Sequence, residues 1–338
     1  MVVTHSARPS MAEVAKVAGV SHQTVSRVIN GFPGVRPDTR ERIEAAIKET
    51  GYRRNSAART LVTRRSGLIG VIAVGSFLYG PTSTLAAIDE AARKHDYTIM
   101  LSNIREGSET EFRNAVESCL DRAVEAVLII ATREVLVEYL HAMQIDVPTI
   151  VVGPSQDSVP GGLNTMCVDQ EQGAHMAVQH LIDLGHRDIT LVTGPHNWIE
   201  AQERCEGAKR TCAEAGIKPT IYEGDWSAAF GYQLGKKLTD PEGSLPEAIF
   251  AANDHMALGL IAAFHENGIK LPEDVSIVGF DDVPEASFYT PSLTTIHQDF
   301  TTLGRRVLEA ALALLDDERP DMTPVAATLN VRASTARA

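Results

Sequence analysis

From Gly67 onward the chain repeats one pattern. Short β-rich runs, LIGVIAV, YTIMLS, AVLII and TIVVG, then DITLVTG, AIFAAN and SIVGF, are separated by segments long enough for one helix each. Strands that alternate with helices in this way build parallel sheets wrapped by helices, and the two series of runs predict two such lobes, an α/β core. In sheets of this kind ligands bind beyond the carboxyl ends of the strands. The residues to inspect are therefore SFLYGPTS (76–83), PHNWIEAQER (195–204), Asn253 with Asp254, and Asp281 with Asp282. Asn, Asp and Arg carry planar groups that bridge neighbouring hydroxyls with paired hydrogen bonds. Tyr and Trp offer an apolar face to the C–H side of a sugar. The set suits a polyhydroxylated ligand and asks for neither a metal nor a cofactor.

At 338 residues and 44% hydrophobic content the chain can bury more than one core. It opens with no apolar run of signal-peptide length, and its most apolar stretches are too short to span a bilayer, which predicts a cytoplasmic protein without a membrane partner. Cys119, Cys167, Cys205 and Cys212 form no CxxC pair and have no His neighbour at metal-ligand spacing, so buried, inert thiols are expected. The net charge of −13 hides an asymmetry. Residues 1–65 hold 12 Lys/Arg against 5 Asp/Glu, whereas the remainder holds 19 against 39. A basic head on an acidic body predicts that the head meets a polyanion while the body does something else.

The head, SMAEVAKVAGVSHQTVSRVIN, reads as a helix-turn-helix. Ser10 is placed to cap a first helix with Val14, Ala15 and Ala18 on its apolar stripe, and Gly19 ends it. Ser21 is placed to cap a second helix, on which Val25, Val28 and Ile29 share one face by i, i+3, i+4 spacing. Gln23, Ser26, Arg27 and Asn30 point away, with His22 at the flank. Gln and Arg are the side chains best shaped for bidentate readout of adenine and guanine in the major groove, where a recognition helix reads with its N-terminal residues. A third helix over 37–50, with Ile43, Ala46 and Ile47 inward, closes a small core and stops at Gly51. Beyond it, GYRRNSAARTLVTRRSG surrounds an Ala-rich stretch, 56–61, with arginines. That stretch has almost nothing of its own to bury and reads as a hinge ordered by a partner.

Taken together, MAEVAKVAGVSHQTVSRVINGF, TRERIEAAIKETGYRRNSAARTLVTRRSGLIGV, EGDWSA, ANDHMALG, VGFDD and PSLTTIHQDF resemble the lactose-repressor (LacI/GalR) family of bacterial transcription regulators over nearly the whole chain. The resemblance implies an N-terminal helix-turn-helix domain (1–52), a hinge helix (53–66) and a two-lobed, periplasmic-binding-protein-like effector and dimerisation core (67–338). The lobes would be discontinuous, 67–167 with 298–326 and 168–297 with 327–338. It implies that His22, Gln23 and Arg27 read bases, with Ser21, Thr24, Ser26 and Asn30 completing the DNA-facing set. Leu61 would be a minor-groove wedge flanked by Asn55, Ala58 and Arg59. In the core, Arg204, Asn253 and Asp281 would bond the effector, Trp226 would stack on it, Tyr79 and Phe300 would line its wall, and Trp198 and Glu200 would face the pocket. Two departures stand out in the head: Arg36 where the family usually caps with Ser, and Arg54 where Pro usually precedes Asn55. A third lies in the core, where Gly153 occupies a position at which sugar-responsive relatives often carry a charged contact.

These features predict a homodimeric repressor of carbohydrate-utilisation genes on a palindromic operator, released by a sugar; the resemblance around Tyr79, Arg204, Trp226 and Asp281 implies a β-galactoside or related glycoside. The homodimer is also expected because the chain ends soon after LNVRAST, without a heptad tail. The live alternative is a co-repressor mechanism in which a purine or other small ligand tightens DNA binding. A transport solute-binding protein shares the core but not the basic head. A sugar-modifying enzyme finds no support, since GxxxxGK[ST], GxSxG and HExxH are all missing from the sequence.

Overall fold

The structure, a computed structural model, describes residues 9–29, 31–52, 65–74, 78–104, 108–156, 162–241 and 243–338. The chain divides into two units, 1–66 and 67–338. In the first, α1 (Met11–Ala18), α2 (His22–Ile29) and α3 (Pro37–Thr50) pack around Val14, Ala15, Ala18, Val25, Val28, Ile43 and Ala46. Ser10 and Glu13 form a reciprocal capping box, satisfying two backbone N–H groups that the first turn leaves without helical partners. Gly19 turns the chain with φ 65°, a left-handed conformation that glycine adopts without a Cβ penalty, and Val20 N–H closes the turn on Ala15 O at 3.0 Å. The Ser21 hydroxyl accepts from Thr24 N–H at 3.2 Å and starts α2. At α3 the N-cap residue Arg36 makes no side-chain capping bond, and Pro37 opens the helix instead, its fixed φ suiting that position.

The second unit holds two sheets. The first sheet comprises β1 (Leu68–Val74), β2 (Thr98–Ile104), β3 (Ala126–Ile130), β4 (Thr149–Val152) and β5 (Asn164–Met166), all parallel in the order β2-β1-β3-β4-β5. The other contains β6 (Ile189–Thr193), β7 (Thr220–Glu223), β8 (Ala248–Ala251), β9 (Ser276–Asp281), β10 (Thr294–His297) and β11 (Thr328–Asn330). Its order is β11-β10-β9-β8-β6-β7, and only β11 runs antiparallel to its neighbour. Both sheets thus share one winding, in which the strand order reverses next to the first strand of each, between β1 and β3 and between β6 and β8. Such switch points open a crevice at the strands' carboxyl ends.

Helices cover the sheets: α4 (Tyr79–Lys94), α5 (Glu109–Leu120), α6 (Glu134–His141), α7 (Gln170–Asp183), α8 (Ile199–Glu214), α9 (Ala228–Thr239), α10 (Asp254–Glu266) and α11 (Phe300–Leu315). The chain passes from the first sheet to the second after β5 and returns after β10, because α11 packs on α4 of the first lobe. Gly304 lets the two helices meet closely, since a Cβ there would lie 2.7 Å from Ile88 N. The final strand returns to the second sheet. Its segment is held there by Asp282, which accepts from Arg332 at 2.6 Å and from Asn330 at 2.8 Å. No helix among the described residues is long and apolar enough to cross a membrane.

Candidate functional site

On α2, Val25 and Val28 are buried, whereas His22, Gln23 and Arg27 are exposed on the other side. Thr24 and Ser26 are half-buried. The hydroxyls of Ser21 and Thr24 lie 2.8 Å apart and serve the cap, so within this unit their first role is to start the reading helix. His22 and Gln23 in the first turn and Arg27 in the last form the exposed face that a reading helix must present to base edges. Asn30, Asn55, Ala58, Arg59 and Leu61 lie outside the described residues, as does most of the 53–66 hinge.

In the core the strand-end residues converge. Two adjoining small cavities share Gly80, Pro81 and Glu200 in their walls. Tyr79, Trp198, Arg204, Trp226, Asn253, His255 and Asp281 line the first, and Phe300 with Thr132, Gly153, Gln170 and Gln298 lines the second. All eight expected effector residues therefore border this cleft, but they do different things there.

Arg204 and Asp281 form a buried pair at 3.4 Å, with side chains 5% and 8% exposed. Arg204 also donates to Gln170 Oε1 at 2.8 Å and to Ala252 O at 2.5 Å, and its guanidinium lies 3.9 Å from the Phe280 ring centroid. Gln298 completes the ring by donating to Asp281 at 2.7 Å and accepting from Gln170 at 2.9 Å. Burial raises the Asp281 carboxyl above the usual carboxylate range, against the opposing pull of Arg204 and the Gln298 hydrogen bond. The network is thus a planar, preorganised polar floor, stiff because each member fixes the next.

Asn253 is less free than its residue type suggested. Its Oδ1 caps α10 by accepting from Met256 N–H at 2.9 Å, and its Nδ2 donates to Trp226 O at 3.0 Å. Asp254 turns inward instead, accepting from the Thr295 hydroxyl and from Val283 N–H, and Asp282 ties down the last strand. Trp226 and Trp198 meet edge to face at 5.8 Å, and Tyr79 and Phe300 do so at 5.9 Å. A Cβ on Gly194 would overlap the Trp226 indole, so only glycine allows the ring to lie against the end of β6. Trp226, Asp281 and Asp282 hold φ of 71°, 108° and 52°, a clustering of costly backbone conformations typical of functional sites.

Thr132, Gln170, His255 and Gln298 went unnoticed in the sequence. Thr132, Gln170 and Gln298 follow the ends of β3, β5 and β10, so extending the strand-end rule to AVLIIAT, NTMCVDQ and TTIHQ finds all three. His255 sits one residue further into α10 than the pair inspected.

Residues 10–55 match the family described as bacterial regulatory proteins, lacI family, and residues 178–335 match the periplasmic binding protein-like domain. The lactose operon repressor of Escherichia coli (strain K12) is 35% identical over 309 residues, covering 90% of this chain and 84% of the relative. The chain belongs to the lacI family. This lacI-family protein is also 33% identical over 312 residues to the transcriptional repressor PurR of Haemophilus influenzae (strain PittEE), with 90% of each chain covered. Among solved structures it superimposes on the lac repressor dimer bound to operator and the anti-inducer ONPF with a TM-score of 0.87 at 33% identity, covering 97% of this chain and 99% of that one. As a family member it is a DNA-binding transcriptional repressor whose core responds to a small ligand.

Proposed function

We propose that this repressor holds a palindromic operator as a homodimer and releases it when a neutral carbohydrate, a β-galactoside or related glycoside, binds in the cleft. The observation that carries the reading is the pairing of an Arg204–Asp281–Gln298–Gln170 floor with the walls of Trp198 and Trp226, hydrogen-bonding planes beside apolar rings. Similarity to the lactose operon repressor supports the galactoside, and a cytoplasmic site of action is part of the same proposal. The PurR relative favours a second reading, in which a purine tightens rather than loosens DNA binding. Either way the coupling between ligand and operator is reciprocal in binding free energy.

On the DNA side His22, Gln23 and Arg27 read base edges, while Ser21, Thr24, Ser26 and Asn30 complete the contact with the groove. Leu61, with Asn55, Ala58 and Arg59, wedges the centre of the palindrome. Arg27→Ala is expected to lose about 1–3 kcal/mol of discrimination between operator and scrambled duplex at fixed salt. Ligand binding in the core is expected to stay unchanged. Competition binding to the two duplexes checks this, and undiminished preference for the operator would remove Arg27 from base readout.

A further inference from the structure

Glu200 differs from every other carboxylate around the cleft. Asp281 has Arg204 and Gln298, Asp254 has Thr295 and Val283 N–H, and Glu203 accepts from Ser155 N–H at 3.0 Å. No described residue donates a hydrogen bond to Glu200, although it is the one carboxylate in the wall of both cavities. It projects from the first turn of α8 over the end of β4, where Gly153 has φ 127°. A Cβ there would collide with Ala131 O at 2.8 Å and stand 3.7 Å from Glu200 Oε1. β4 thus ends without a side chain, and the carboxylate of α8 occupies the space above it.

Among the described residues, the charged and titratable groups around Glu200 are Arg204 and Glu203 on its own helix, Asp281 from β9, His255 from α10, Tyr79 from α4 and the Cys167 thiol just after β5. Gln170 and Gln298 add dipoles but no charge. Arg204 is already engaged by Asp281, Gln170 and Ala252 O. Glu200 itself is half-buried, and two fully buried polar atoms in these walls, Thr132 Oγ1 and Trp226 Nε1, lack a partner among the described residues.

We propose that Glu200 determines specificity in the cleft by accepting a hydrogen bond from a neutral, polyhydroxylated effector and excluding anionic ones such as sugar phosphates, sugar acids and nucleotides, so that effector uptake is coupled to ionisation of its carboxyl. This deepens the effector reading given above and rests on it. Burial, reinforced by Glu203 and Asp281 and opposed by Arg204, pushes the Glu200 carboxyl up to about 7. A donor on the ligand restores what burial removed and favours the ionised form. Affinity for a neutral sugar then falls as pH drops below about 7, by up to about tenfold per unit. A ligand with its own negative charge instead sets two unpaired charges side by side in a site that gives little screening.

The chain has two tryptophans, Trp198 and Trp226, and both line the cleft, so tryptophan emission excited at the red edge, where the tyrosines do not absorb, reports on this site in the full-length protein. Quenching by iodide, an anion, and by acrylamide, a neutral probe, is compared in wild type, Glu200→Gln and Glu200→Asp. At pH 8 iodide is expected to quench Glu200→Gln several-fold more strongly than wild type. The difference should vanish at pH 5.5, where both carry a neutral side chain, and taking the difference between the proteins removes the common contribution of His255. Acrylamide should quench all three alike, and Glu200→Asp should restore protection from iodide. Equal iodide quenching of wild type and Glu200→Gln at pH 8, or an acrylamide effect as large as the iodide effect, would overturn the proposal. Titration with methyl β-galactoside and its 6-phosphate is a separate arm, in which the wild type should prefer the neutral sugar and Glu200→Gln should narrow that preference at least tenfold. An unnarrowed preference would also overturn the proposal. Failure of the neutral galactoside to bind, with the iodide difference intact, would count against the galactoside reading and not against the role of Glu200.

Discussion

Arg204→Ala is expected to destabilise the core by about 3–5 kcal/mol, lowering its melting temperature on the order of 10 °C, and to abolish the response to effector. The physical reason is what the truncation leaves behind. Asp281, 8% exposed and 3.4 Å from the guanidinium, would lose its ion-pair partner, and Gln170 Oε1 and Ala252 O would lose their donor. The deficit should depend on pH. The Asp281 carboxyl is already raised by burial with Arg204 holding it down, so removing Arg204 raises it further. A raised carboxyl contributes stability that is fully present below its unfolded value of about 3.9 and is lost as pH climbs through the folded value. The variant should accordingly fall further behind wild type as the pH of the unfolding experiment is raised from 5 to 8. Asp281→Asn keeps an acceptor for Gln298 but leaves the buried Arg204 guanidinium charged and without its partner, so it too should be destabilising while blocking the response. Wild-type stability together with a wild-type response in Arg204→Ala would place the pair outside both the core and the site.

A second large effect should come from a position that touches no ligand. Gly231 and Gly235 on α9 pack against Met256 and Ala263 of α10, and Gly259 of α10 packs back on α9 so closely that a Cβ there would overlap Ala228 O and be 2.5 Å from Tyr232 N. Both obstacles are backbone atoms, which cannot rotate away, so Gly259→Ala must push the helices apart. Overpacking of this kind costs about 1–3 kcal/mol and sometimes more. It should also weaken effector binding, because α9 begins just after Trp226 and α10 just after Asn253, and these two residues are joined by the Asn253 Nδ2 to Trp226 O hydrogen bond. Urea unfolding and ligand titration of Gly259→Ala measure the two effects. An unchanged midpoint would mean that the seam relaxes at no cost.

Much of this was legible in the residues. The alternation after Gly67 and the apolar spacing at Val14, Ala18, Val25 and Val28 depend on local periodicity, and they survive in β1–β4, β6, β8 and β9 and in the three-helix head, whereas the short β5 and β7 were not among the runs. The effector residues could be found because parallel sheets deliver their strand ends to one place. Their roles were less legible. Nothing local distinguishes Asn253, whose side chain caps a helix and holds Trp226, from a ligand contact, because either use places Asn directly after a strand. The Gln170–Gln298 bridge joins residues 128 positions apart and requires the fold to bring α7 beside the segment before α11. The unpaired state of Glu200 depends on the missing side chain of Gly153, 47 positions earlier in the chain, and on Arg204 being used up elsewhere.

The most direct test of the whole account is fluorescence anisotropy of the full-length protein on a labelled palindrome from its own promoter, at fixed salt. Mono- and disaccharides, including β-galactosides, are added in turn, followed by purines. The predicted result is release by a neutral sugar, abolished in Arg204→Ala, with purines and phosphorylated sugars inert. Tightening of the complex by a purine, with every sugar silent, would contradict it and reverse the sign of the coupling between cleft and operator.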